Sequence, residues 1–215
     1  MRLTTYIGKI QALCLVLVMA HVFVADAGAA EIGPLDQVKG MVDNILTIMK
    51  DDKFSAPEKK DERRDTIMIE VEKRFDFREM SKRTLARDWK SRSEPERKEF
   101  QGLFSELLKN TYIGRVEAYS DEQVIYPKVL IDEKKKNKAL VYTNVVKNNQ
   151  EIPINYKLYK KNGEWFVYDV VIEGVSLVRN YRTEFGRIIG KEKYPGLISK
   201  IKEKIEKNEA SRQES

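Results

Sequence analysis

Asp169, Glu173, Arg179 and Arg182 form the densest charge cluster in an otherwise apolar stretch, and carboxylates beside arginines suit two kinds of chemistry. The forked guanidinium groups are shaped to hold a phosphate. Asp169 is the one candidate for a carboxylate base, as in an isomerase, but it alternates with the apolar side chains of its strand and should point away from them. Against both stands a structural role, in which Arg182 pairs with Asp169 or Glu173 and fixes a strand–helix corner. Asp76 sits three residues before Glu79, a spacing that suits a helix cap as well as any reactive role. Lys134-Lys135-Lys136 reads as a solvated hairpin turn, or as lysines that meet an anionic membrane surface.

The commonest catalytic side chains are missing from the working part of the chain. Residues 1–30 read as a secretory signal peptide: Arg2 and Lys9 make a basic start, residues 12–24 an apolar run broken by His21, and Ala27-Gly28-Ala29-Ala30 a cleavage site. The run is shorter than the roughly 20 residues a bilayer span needs. A lipoprotein reading would need Cys14 at the cleavage site, but it lies inside the apolar run. Cys14 and His21 are the single cysteine and the single histidine, so both leave with the leader. Without thiol, imidazole or disulfide, the exported chain is expected to be neither an enzyme nor a metal protein. The formal net charge of +6 is modest and mixed along the sequence. It allows approach to anionic head groups and does not resemble a nucleic-acid footprint.

The elements that would position these residues fall into two halves. Leu35, Val38, Val42, Ile45 and Met49 make a helical stripe after Pro34. Capping-box spacings at Ser55–Glu58, Asp76–Glu79 and Ser93–Glu96 announce three further helices. The last of them carries Phe100, Phe104, Leu107, Leu108 and Tyr112 on one face. Beyond residue 120 the period shortens to that of strands over 124–131, 140–147, 152–159 and 165–173. Short joins imply an antiparallel meander. A helix over 177–189 and a last one from Gly196 return to the sheet. The expected domain therefore covers 31–207, with helices over 34–119, a sheet over 123–173, returning helices over 176–207 and a flexible tail at 208–215. Its class is α+β.

Residues 165–185 are the most specific part of the chain. Phe166, Tyr168, Val170 and Ile172 alternate as one strand face, and after Gly174 the spacing of Leu177, Val178, Tyr181 and Phe185 becomes helical. The residues themselves, W-x-V-Y-D-V-x-x-E-G-V-S-L-V-x-N-Y-R-x-x-F, resemble the signature of the MlaC, or toluene-tolerance, family of periplasmic phospholipid-binding proteins. F-D-F-x-x-M from Phe75, followed by Leu85 and Trp89, resembles a second family segment, except that Ala86 stands where a glycine is expected. Phe100, Phe104, Leu107, Leu108 and Tyr112 carry a third.

The resemblance implies a curved sheet of four or slightly more antiparallel strands, with N- and C-terminal helices enclosing an apolar cavity. It implies a soluble periplasmic carrier that takes the acyl chains of a diacyl glycerophospholipid as cargo, without any cofactor. Its partners would be an inner-membrane ABC transporter with an MCE-domain ring and an outer-membrane lipoprotein–porin complex. Its purpose would be outer-membrane lipid asymmetry, and the chain is expected to be a monomer that binds no nucleic acid. Alternation and resemblance together place the acyl chains between Val141, Val145, Ile154, Tyr156, Leu158, Tyr168, Val170 and Ile172 of the sheet and Phe104, Leu108, Tyr112, Leu177 and Tyr181 of the helices. Tyr142 could replace Val141 and Val145 on the inner face. Taken without the resemblance, these apolar faces read first as the packed core of an interaction module, with a pocketed isomerase that uses Asp169 as base as the other alternative.

Overall fold

Of the three helix starts announced by capping-box spacing, two are capped by side chains. In the computed structural model, which describes residues 32–118, 123–147 and 150–213, Ser93 and Glu96 form a full reciprocal box at the start of α4 (Glu94–Glu117). Asp76 accepts the Glu79 N–H at 2.8 Å at the start of α3 (Phe77–Leu85). Ser55 does not cap: Pro57–Lys59 forms a 3₁₀ turn, and α2 begins after it at Lys60 and runs to Glu72. α1 (Pro34–Lys50) starts with its proline, whose missing N–H costs nothing in the first turn. Glu117 ties α2 to the end of α4. It accepts two bonds from Arg64, at 3.0 and 2.9 Å, and one from Arg63 at 3.1 Å. The leader expected at 1–30 lies outside the described residues.

The sheet is an antiparallel meander in the order β1 (Gln123–Ile131), β2 (Lys138–Lys147), β3 (Gln150–Lys161), β4 (Glu164–Ile172) and β5 (Val175–Ser176). The chain is thus α+β, with one short strand more than four. Two hairpins close through pairs of positive-φ residues. Asn162 and Gly163 have φ of 52° and 87°, and Glu173 and Gly174 have 49° and 82°, the backbone that two-residue hairpins require.

One irregularity changes what the sheet presents. Lys157 pairs with Asp169, but the next residue, Leu158, pairs with Val167, so β4 carries an extra residue at Tyr168. The bulge reverses the parity of the strand. Val170 and Ile172 share the inner face with Tyr156 and Ile154, as expected, but Trp165 and Val167 replace Phe166 and Tyr168 there. Tyr168 instead lies on the outer face, 6.1 Å from the Tyr159 ring and with the Arg83 guanidinium 4.1 Å above its own.

Apolar burial divides between two clusters. The first joins α3, α4 and α5 (Leu177–Gln213) around fully buried Met80, Phe100, Phe104, Leu107 and Leu197. Phe104 meets the Tyr181 ring edge-on at 5.3 Å, and Phe100 meets Phe185 at 5.9 Å. The second lies on the inner sheet face, where Val141, Leu158 and Val167 are almost completely buried beneath Val38 of α1. The two returning helices expected from the sequence are the arms of α5, which bends where Lys193 adopts φ 63° and Pro195 lacks an N–H. The second arm continues to Gln213, past Lys207 where the sequence suggests a tail.

Candidate functional site

The inner sheet face changes character along its strands. At the β1–β2 hairpin end, Ala139, Val141, Leu158 and Val167 are each 6% exposed or less. Toward the other end Val145, Ile152, Ile154, Tyr156 and Ile172 keep accessible surface, although the register directs all of them to the same side. The helical residues packed over that cluster, Val42 and Tyr112, are likewise only partly buried. An apolar face whose side chains stay part-accessible can take an apolar chain.

Tyr156 illustrates the environment. It retains accessible surface, yet burial pushes its phenol up to about 12. Its hydroxyl therefore looks into surroundings that stabilise no charge. Burial also raises the Tyr112 phenol, an effect that Arg115 partly offsets. Thr143 points inward as well, but its hydroxyl is used by the Ile154 carbonyl.

The expected site residues divide into four groups. Val141, Ile154, Tyr156, Leu158, Val170, Ile172, Leu177 and Tyr112 come together in the sheet cluster. Val145 lies on the same face by its pairing with Ile152, so β2 directs Val141 and Val145 inward and not Tyr142. Phe104, Leu108 and Tyr181 do not wall the sheet. They belong to the helix cluster, because the apolar face of α4 turns to α5. Tyr168 is on the opposite face, displaced by the bulge. Ile152 shares the face by its pairing with Val145, and Val38 and Val42 of α1, not expected at the sheet, pack in its cluster. Their apolar periodicity was visible; what was missing was the knowledge that α1 lies over the sheet.

Asp169 and Arg182 of the charge cluster take structural partners different from those expected. Asp169 is 3% exposed. It accepts from Lys157 Nζ at 2.9 Å, from Ser176 Oγ at 2.7 Å and from the Val178 N–H at 3.1 Å. Ser176 in turn accepts the Arg179 N–H at 3.1 Å, so the pair caps α5. Arg182 bonds neither acid; its Nε donates to the Arg83 carbonyl at 2.7 Å. With its oxygens committed on the outer side of the sheet, Asp169 is poorly placed as a base. Two surface clefts, of about 480 Å³ at the α5 bend and about 400 Å³ beside Asp76 and Tyr159, lie away from the inner face. Among the described residues no cluster of metal-ligating side chains occurs, and no helix is long and apolar enough to cross a membrane.

A family model for the MlaC protein matches residues 39–203, which includes the sheet, the capped helices and the bend of α5. The chain belongs to the MlaC family. The intermembrane phospholipid transport system binding protein MlaC of Haemophilus influenzae is 28% identical over 129 residues, covering 56% of this chain. The chain spans only 58% of that relative's length. A phospholipid-binding protein from Ralstonia solanacearum, solved in complex with a phospholipid, superposes with a TM-score of 0.74 at 23% identity. That match covers 82% of this chain and 99% of the other, and it establishes that the two share a fold. Within that frame the family segment around Phe75 gains a physical meaning: Ala86, where other members are expected to carry glycine, has φ 53° and ψ −113°.

Proposed function

We propose that this protein is a non-enzymatic carrier that holds the acyl chains of a glycerophospholipid against the inner sheet face and leaves the head group outside. The observation that carries the reading is the line of apolar, part-accessible residues Val145, Ile152, Ile154, Tyr156 and Ile172 on the inner face, the last three of them in one cluster with Val42 and Tyr112 of the helices. A diacyl lipid has about 30 methylenes, each costing about 0.8 kcal/mol in water, so unassisted transfer through an aqueous space is very slow. A protein that shields the chains removes that barrier without chemistry. Membership of the MlaC family and the phospholipid held by the Ralstonia relative support the assignment of cargo.

On this reading the protein works in the periplasm after loss of residues 1–30. It exchanges lipid with an inner-membrane ABC transporter bearing MCE-domain rings and with an outer-membrane lipoprotein–porin complex, and so maintains lipid asymmetry. The cargo replaces any cofactor, and the carrier acts as a monomer. Recognition through the chains predicts tolerance of different head groups.

Native mass spectrometry of gently purified protein tests the proposal. A mass increment matching a diacyl phospholipid is expected, on a chain that begins near Ala30 or Glu31. An empty chain that takes up no lipid from vesicles would overturn the carrier reading, and a membrane-retained chain with Met1 attached would overturn export.

A further inference from the structure

Val129, Leu130 and Ile131 end β1 with 36, 41 and 49% of their surface exposed. Their register with Val141, Leu140 and Ala139 sends Val129 and Ile131 to the inner face and Leu130 to the outer one. Both faces of the strand tip are therefore wet, and neither layer of the domain covers it. Single exposed apolar residues are ordinary, but three in succession at one protruding tip are not.

The turn that follows is firmly built. Asp132 accepts the N–H groups of Lys134 and Lys135, both at 2.9 Å, and its own N–H donates to the Lys138 carbonyl at 3.0 Å. That geometry presents Lys134, Lys135 and Lys136 beside the apolar tip, with Lys128 just before it, and all four are exposed. Among the described residues none of these four forms an ion pair. The adjoining β3–β4 turn adds no free charge, since its Lys161 lies 3.8 Å from the Asp76 carboxylate. Against its own lysines the hairpin sets only Asp132, already engaged in the turn, and Glu133.

We propose that the β1–β2 hairpin docks on the surface of an anionic phospholipid bilayer, with Leu130 and Ile131 at the acyl boundary and the lysines among the phosphates. Pairing with a second copy is disfavoured on two grounds. It would bring the same lysines together, and Pro127 with the bulge between Ile125 and Lys128 leaves little of the edge free to pair. The inference does not rest on the acyl-chain site. The hairpin adjoins the sealed end of the sheet, about 20 Å along β2 from Val145.

Vesicle flotation with the full protein provides the test, using phosphatidylcholine alone and phosphatidylcholine mixed with phosphatidylglycerol. Binding to the anionic vesicles only, reversed by high salt, is expected. Each lysine is worth about fivefold in partitioning, so Lys134→Gln/Lys135→Gln/Lys136→Gln should lose about a hundredfold. Leu130→Ser/Ile131→Ser should lose about tenfold or more. Ile131→Trp should shift its emission to the blue on anionic vesicles. Equal binding to both vesicle types, or unchanged binding by the variants, would overturn the proposal. So would a dimer seen by sedimentation that Leu130→Ser dissolves, since the tip would then be an interface between copies. Lipid loading measured on the lysine variant separates the two readings. Vesicle binding lost with loading retained supports the hairpin role alone, whereas vesicle binding by a chain that never carries lipid leaves the hairpin standing and removes the carrier.

Discussion

Asp169 and Ser176 face each other across a 2.7 Å hydrogen bond, the acid from β4 and the hydroxyl from the last residue before α5. Between them they hold the first turn of α5 to the sheet, since Asp169 also takes the Val178 N–H and Ser176 the Arg179 N–H. Asp169→Ala removes three acceptor contacts at once from a buried position and leaves Lys157 unpaired. A loss of about 3 kcal/mol is expected. Asp169→Asn keeps an acceptor for the helix and should lose less than half of that. Urea unfolding checks both, and an alanine variant within about 0.5 kcal/mol of wild type would show that the corner is held by something else.

Ala86 ends α3 at φ 53° and ψ −113°, where a Cβ is strained and glycine is at ease. Ala86→Gly is therefore expected to stabilise the protein by about 1 kcal/mol, against the usual direction of such a change. A higher urea midpoint with unchanged slope would confirm it. A lower midpoint would mean that glycine's extra freedom in the unfolded chain outweighs the strain relieved.

Charges placed in the two apolar clusters should behave differently. Ile154 keeps accessible surface on the inner face, so the carboxylate of Ile154→Glu can be partly hydrated while the site is empty and must be desolvated when acyl chains enter. We expect soluble, cooperatively folding protein that carries little or no lipid. Leu108 is 8% exposed within the helix cluster. There Leu108→Asp costs several kcal/mol, comparable to the stability of a whole domain, and should fail to fold. Circular dichroism with native mass spectrometry distinguishes the outcomes. Wild-type lipid loading in folded Ile154→Glu would move the cargo elsewhere.

Stability should fall at alkaline pH. Burial pushes the Tyr156, Tyr181 and Tyr194 phenols up to about 12 from the ordinary 10.0. Below pH 10 the phenols are protonated in both folded and unfolded chains, and the stability is complete. Between 10 and 12 only the unfolded chain releases these protons, so stability declines, by up to about 1.4 kcal/mol per pH unit for each phenol. Urea midpoints measured from pH 9 upward should fall accordingly, and phenolate absorbance should appear later in the folded protein than in the unfolded one. A flat profile would show these hydroxyls to be free to ionise.

The meander, its hairpins and the helix starts at Asp76 and Ser93 were legible in the sequence because each rests on local chemistry: alternation, an Asn-Gly turn, a capping side chain. The bulge at Tyr168 was not. Trp165, Phe166, Val167 and Tyr168 are all apolar or aromatic, so either parity gives an acceptable inner face, and alternation carries no information there. The face of α4 was read correctly as apolar, but its partner was not. Phe104 and Leu108 are as suited to a sheet as to a helix, and nothing local announces that Phe185 and Tyr181 reach them first. Ser55 failed as a cap for a local reason, since Pro57 starts a 3₁₀ turn before α2 can begin.

The pairing of Asp169 with Lys157 also bears on how the chain finds its register. A strand of unbroken alternation can slip by two residues against its neighbour and still turn the same kind of side chain inward. β4 cannot. A slip of two residues along β3 would separate the buried Asp169 from its partner Lys157. The Asp169–Lys157 pair thus works as a key that fits one position of the lock, since every other alignment leaves a buried carboxylate without its cation.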